Sequence, residues 1–327
     1  MEMTIQAWRE MKKELRRRFS AVGWILLIYY GILNAAVFLT AFFEMTFGMM
    51  GALLSGQPEQ IPTMLEKGMK DGWGYVVAVA VGLLALLIWK KPSLRKAGER
   101  GKPMTPGSFL SLLCLFLSGQ AVYQLLTTFA ELILNGFGLS MLDGLESLAM
   151  DTGSFSMFLY AGILAPVTEE ILFRGVIQRA LMPYGRRFAI FCSAFAFGIF
   201  HGNLLQSPYA FLMGLVLGYT ASEYSIAWSM VLHMINNLVL ADLLPRLLSG
   251  LPDITANLIV WAVILAFTVG AVAVIIAKRR SIGEYFRADH KNGVYLSCFF
   301  TSPGMVILMV LMGISMVFTF MLMLSPL

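Results

Sequence analysis

Glu169, Glu170 and Arg174 stand within one apolar stretch of the chain, His201 within a second, and His233, Asn236 and Asn237 within a third. A charge at the centre of a bilayer costs at least about 2.5 to 3.5 kcal/mol, so acids, bases and imidazoles in such stretches are functional candidates. Glu170 and Arg174 are four residues apart with the acid first, the favoured order for an ion pair on one helix face. Glu169 is rotated by about 100° from Glu170 and is left to face another partner. Pro166, without an N–H, should kink this helix one turn before the pair and leave a carbonyl free. Phe197 and His201 share one helix face, as do His233 and Asn237.

Depth follows from helix rise. Counted from the turn at Pro183–Gly185, Glu169 and His201 sit about 21 and 24 Å away, so antiparallel neighbours bring them level. Counted from Ser225, His233 and Asn237 come about 12 and 18 Å in. A carboxylate, two imidazoles and an amide converging in a dry pocket suit activation of a water: a base takes the proton and donors hold an oxyanion. Each residue also has a structural reading, as a histidine bonded to backbone or an ion pair that only braces a helix. Gly214 and Gly218 form a small-residue face for close packing, and Gln120 and Gln124 read as polar glue between helices more than as cavity lining.

These residues need elements that hold them in lipid. The chain has 327 residues, 58% of them hydrophobic and 13% charged, with a mean hydropathy of +0.76. Soluble domains carry about 25% charged residues, so an ordinary soluble protein is excluded. Nine apolar segments are long enough to consider as spans: Val22 to Phe43, Gly74 to Trp89, Phe109 to Leu134, Phe155 to Met182, Phe188 to His201, Tyr209 to Ser222, Ile226 to Ala241, Leu258 to Ala277 and Gly304 to Leu324. The fifth and sixth are short, so eight or nine spans are admissible. The first exceeds the apolar core of a secretion signal and lacks its cleavage site, so it reads as a retained anchor.

With a cytoplasmic N-terminus, alternate loops collect 21 of the 24 Lys and Arg residues, and the positive-inside rule fixes that orientation. The formal charge of +5 then describes anionic headgroups as neighbours and gives no support to nucleic acid as a partner. Three scattered cysteines, Cys114, Cys192 and Cys298, form neither a disulfide framework nor a cysteine zinc site.

The motifs E-E-x-x-x-R (Glu169-Glu170-Ile-Leu-Phe-Arg174), F-x-x-x-H (Phe197 to His201) and H-x-x-x-N (His233 to Asn237) stand here in order. In this the chain resembles the CPBP family of intramembrane proteases, which contains type II CAAX prenyl endopeptidases and bacteriocin-processing or self-immunity proteins. The resemblance covers about residues 155 to 242. It implies that Glu169 activates the attacking water with His201, that His233 and Asn237 complete the site and steady the oxyanion, and that Glu170 with Arg174 orients the helix. It admits prenylated C-terminal peptides, leader peptides or membrane proteins as substrates. Glu169, His201 and His233 are also a set that could hold zinc with an open position for water. The chain lacks H-E-x-x-H, and a ligating Glu169 would leave Glu170 as the only nearby base, so metal-free, glutamate-activated water is favoured.

The expectation is an all-α, polytopic membrane bundle of eight or nine spans with a CAAX-protease-like core, placed in a bacterial plasma membrane. Residues 1–150 would supply three spans, 151–245 the catalytic core with four, and 246–327 the C-terminal spans. Two other readings compete with an intramembrane endopeptidase: a proton-coupled transporter using the same Glu and His residues, and a non-catalytic immunity or scaffold protein on the protease fold.

Overall fold

The computed structural model describes residues 4–57, 59, 61, 72–97, 101–148, 154–287 and 293–326. Its principal helices coincide with the nine apolar segments: α1 (Ile5–Leu54), α2 (Trp73–Ala97), α3 (Pro106–Asn135), α4 (Phe155–Tyr184), α5 (Arg186–Phe200), α6 (Gln206–Glu223), α7 (Ile226–Leu248), α8 (Asp253–Ala277) and α9 (Pro303–Met323). Short helices at Leu142–Leu148, Arg279–Arg287 and Gly293–Phe300 link them. Strands Leu139–Ser140 and Ser325–Pro326 pair antiparallel beside the end of α3. Among the described residues, six helices are long and apolar enough to cross a membrane: α1, α3, α4, α7, α8 and α9. The fold is the helical membrane bundle expected from the hydropathy. On α8 the side chains of Leu258, Leu265 and Val269 are exposed and only Ile264 and Ala271 are buried, as a lipid-facing helix requires.

Helix α1 is longer than its apolar segment. It has 50 residues, about 75 Å at the helical rise, against a hydrocarbon core of about 30 Å. Hydropathy marks only the portion suited to lipid, whereas the basic residues before it are good helix formers. Thr4 caps the helix by accepting from the Ala7 N–H, and Glu14 pairs with Arg17 and Arg18 at 2.9 and 2.8 Å.

Lipid tails are as apolar as leucine, so burying apolar side chains does little to join helices here; close backbone approach and polar contacts do more. Helix α1 meets α9 at Gly23 and Gly304, where a Cβ on Gly23 would lie 2.2 Å from the Gly304 carbonyl carbon. Beside this crossing the Gly304 N–H donates to Ser20 Oγ at 2.9 Å. Helices α5 and α6 also pack closely, and a Cβ on Gly214 would lie 3.0 Å from Ala194 Cα. The small-residue face read on α6 is therefore a packing face. Gln120 of α3 likewise bonds Tyr209 of α6 and Asn236 of α7, which makes it polar glue.

Two tight turns set the order of α4, α5 and α6. Gly185, with φ of 121°, reverses the chain after α4, and Gly202, with φ of 60°, does so after α5. Asn203 Oδ1 then accepts the Leu205 and Gln206 N–H groups at 3.0 and 3.1 Å and starts α6. At the far end of α6, Glu223 pairs with Lys102 at 2.5 Å and with Arg186. Burial pushes the Glu223 carboxyl up, but the Lys102 and Arg186 hydrogen bonds outweigh it and hold the group below the ordinary carboxylate range.

Candidate active site

Helix α4 carries the acids, and its backbone is unusual around them. It winds in wide, π-helical turns at Tyr160–Leu164 and Ile171–Gln178, on either side of Ala165–Glu170. Such turns are rare and frequent at functional sites. The Ala165 N–H reaches the Tyr160 carbonyl, five residues back. In that register the next donor, for Ala161, would be Pro166, which has no N–H. The carbonyl freed by the proline is therefore that of Ala161, and Asn237 Nδ2 donates to it at 2.9 Å. Asn237 is the second residue of a third wide turn, the segment Asn236–Leu243 of α7.

Glu170 is fully buried, and three side chains converge on it. Arg174 Nε lies 3.3 Å from Oε2, Ser229 Oγ donates to Oε2, and His233 Nδ1 is 3.1 Å from Oε1. Arg174 also donates through Nη2 to the Gly214 carbonyl at 3.2 Å and lies over the Phe197 ring, 4.5 Å from its centroid. The i,i+4 pair read from the sequence is present. Its role is wider than bracing α4, because the carboxylate also fixes the ring of His233 on α7.

Glu169, turned about 100° from Glu170, leaves Arg174 to its neighbour and faces the other nitrogen of the His233 ring. Its Oε2 lies 3.7 Å from His233 Nε2, and its side chain keeps 29% of its surface exposed, where Glu170 keeps none. The two nitrogens of His233 thus face the two adjacent acids of α4. Tyr29 of α1 and Tyr160 of α4 lie within electrostatic reach of Glu169.

His201 terminates α5. Its Nδ1 lies 2.8 Å from the Phe197 carbonyl, an acceptor only, so Nδ1 carries the hydrogen and a neutral ring keeps Nε2 as an acceptor. The Phe197 ring stands edge-to-face to both imidazoles, with centroids 4.8 Å from His201 and 5.7 Å from His233. The structure therefore brings Glu169, Glu170, Arg174 and His233 into direct contact. His201 joins them through Phe197 and through its electrostatic interaction with Glu169. Asn237 joins through the Ala161 carbonyl of α4.

The residues that could hold zinc do not fit that task in this arrangement. Among the described residues no three His, Cys, Asp or Glu groups converge as a ligand set, Glu169, His201 and His233 included. Sequence reasoning missed Ser229, although it lies one turn before His233 on the same face. It noted Asn236 without giving it a partner.

Residues 151–239 match the family described as type II CAAX prenyl endopeptidase Rce1-like. The match contains all three motifs and runs from just before α4 into α7. It supports an intramembrane CAAX-type endopeptidase at the level of the family and a membrane-embedded protein. No curated protein and no solved structure matches the chain.

Proposed function

We propose that this chain, whose residues 151–239 match the type II CAAX prenyl endopeptidase family, hydrolyses a peptide bond in a membrane-associated peptide by means of a water activated by Glu169. One observation carries the reading: His233 is anchored through Nδ1 on Glu170 and presents Nε2 to Glu169 across 3.7 Å, too long for a hydrogen bond and short enough for one water to touch both.

Glu169, the more exposed acid, takes a proton from the water, and His201 assists through its electrostatic interaction with Glu169. The water oxygen bonds to the scissile carbonyl carbon. The resulting oxyanion takes a hydrogen bond from Asn237, which has one amide hydrogen left after serving Ala161. The C–N bond then breaks, and the proton held by Glu169 passes to the leaving amine. Glu170 and Arg174 touch none of the reacting atoms and act as positioning residues. No step passes through a metal. The N-terminus lies on the cytoplasmic side in this reading, and residues 151–245 form the catalytic core within a bacterial plasma membrane. The substrate is a peptide or membrane protein, prenylated or bearing a leader.

The test compares membrane proteins and released peptides from cells carrying the wild type or Glu169→Gln. Fragments found only with the wild type support the reading and name the substrate. Identical fragment profiles overturn it.

A further inference from the structure

Asn237 is held at both ends of its amide. Nδ2 donates to Ala161, and Oδ1 accepts from Asn236 Nδ2 at 3.0 Å. The orientation of Asn236 is settled in turn by two donors on its Oδ1, the Tyr209 hydroxyl at 3.0 Å and Gln120 Nε2 at 2.9 Å. With both on its oxygen, its nitrogen must face Asn237. Gln120 Nε2 also donates to the Tyr209 oxygen at 2.8 Å, so the phenolic hydrogen is directed onward to Asn236. Taken from the Ala161 carbonyl, which can only accept, every link has one polarity, and the chain of bonds joins α3 and α6 to α7.

We infer that Gln120, Tyr209 and Asn236 are positioning residues that lock the amide of Asn237 in the one orientation that leaves an N–H for the oxyanion. An asparagine amide turned by 180° would present its oxygen to the same place and repel the developing charge. Two of the three residues lie within the matched segment; Gln120 lies on α3, outside it. Helix α3 thereby helps set the chemistry of a site whose motifs it does not contain. The inference rests on the reading of Asn237 as an oxyanion donor.

The test uses the full-length chain in vesicles and a peptide spanning a cleavage junction found only with the wild type. Asn236→Ala lowers kcat at least tenfold with KM within twofold, and Tyr209→Phe and Gln120→Leu lower kcat about threefold or more in the same manner. In an Asn237→Ala background, adding Asn236→Ala changes kcat by less than twofold, because its target is gone. A rise in KM with kcat retained, or multiplicative losses in the double variant, overturns the inference. Thermal melts of the wild type, Asn236→Ala, Asn237→Ala and the double variant judge it independently of activity: the two substitutions must be non-additive in melting temperature, and additive shifts overturn the network. If the wild type cleaves nothing, the proposed reaction fails and the melts alone decide on the network.

Discussion

His233 Nδ1 stands 3.1 Å from the fully buried carboxylate of Glu170, while its Nε2 faces the partly exposed Glu169. Two neighbouring acids on one helix are thus divided between holding a ring and facing the chemistry, and their substitution must have different consequences.

Glu169→Gln is expected to keep the melting temperature within a few degrees of the wild type and to lose at least about 100-fold in kcat, the scale of a lost general base. Glu170→Gln leaves Arg174 buried without a countercharge, which destabilises by about 3–5 kcal/mol. Its melting temperature should fall well below that of Glu169→Gln. Equal melting temperatures for the two variants would refute this division of labour.

Because Glu169, His201 and His233 do not converge as ligands, the purified protein should carry zinc well below one equivalent. A chelator should leave its turnover unchanged. Stoichiometric zinc in elemental analysis, with turnover lost on chelation and restored by zinc, would replace the metal-free mechanism.

The crossing of α1 and α9 admits no side chain at Gly23, where a Cβ would lie 2.2 Å from the Gly304 backbone. Gly31, two turns further along α1, has open space around it. Gly23→Ala should lower the melting temperature, and Gly31→Ala should leave it unchanged or raise it, since Ala is favoured over Gly in a helix by roughly 1 kcal/mol. The pair of substitutions separates helix propensity from packing.

The carboxyl of Glu223, depressed by Lys102 and Arg186, stabilises the native state at pH above its unfolded value, and that contribution disappears as the pH falls through the lower native value. The advantage of the wild type over Glu223→Gln in thermal melts should therefore be full near pH 7 and vanish in acid below the ordinary carboxylate range. Lys102 is largely exposed, so the effect should not exceed about 1 kcal/mol. A difference that grows in acid would contradict the assignment.

The ion pair Glu170–Arg174 and the exclusion of Glu169 from it were legible because both follow from helical rotation alone. The helical membrane bundle was legible because lipid demands long apolar runs, whereas the expectation of eight or nine spans exceeds the six described helices that are long and apolar enough to cross. Pro166 announced a freed carbonyl, but the wide turn before it, which makes that carbonyl Ala161's and hands it to Asn237, lies where α4 packs against α7 and leaves no sign in the sequence. Gly162 shows this packing, since a Cβ there would collide with Leu238. The full length of α1 was hidden because hydropathy measures suitability for lipid and is silent about where a helix stops. The shared hydrogen bonds of Gln120, Tyr209 and Asn236 could not be read at all, for they join residues up to 116 positions apart.

Residues 151–239 look like a portable unit, since they carry every motif, yet the bond from Gln120 reaches into them from outside. A chimera that transplants only this segment onto foreign flanking helices would inherit the acids and histidines and lose the donor that begins the amide chain. Successful exchange of such segments between proteins should therefore require that the third helix travel with them.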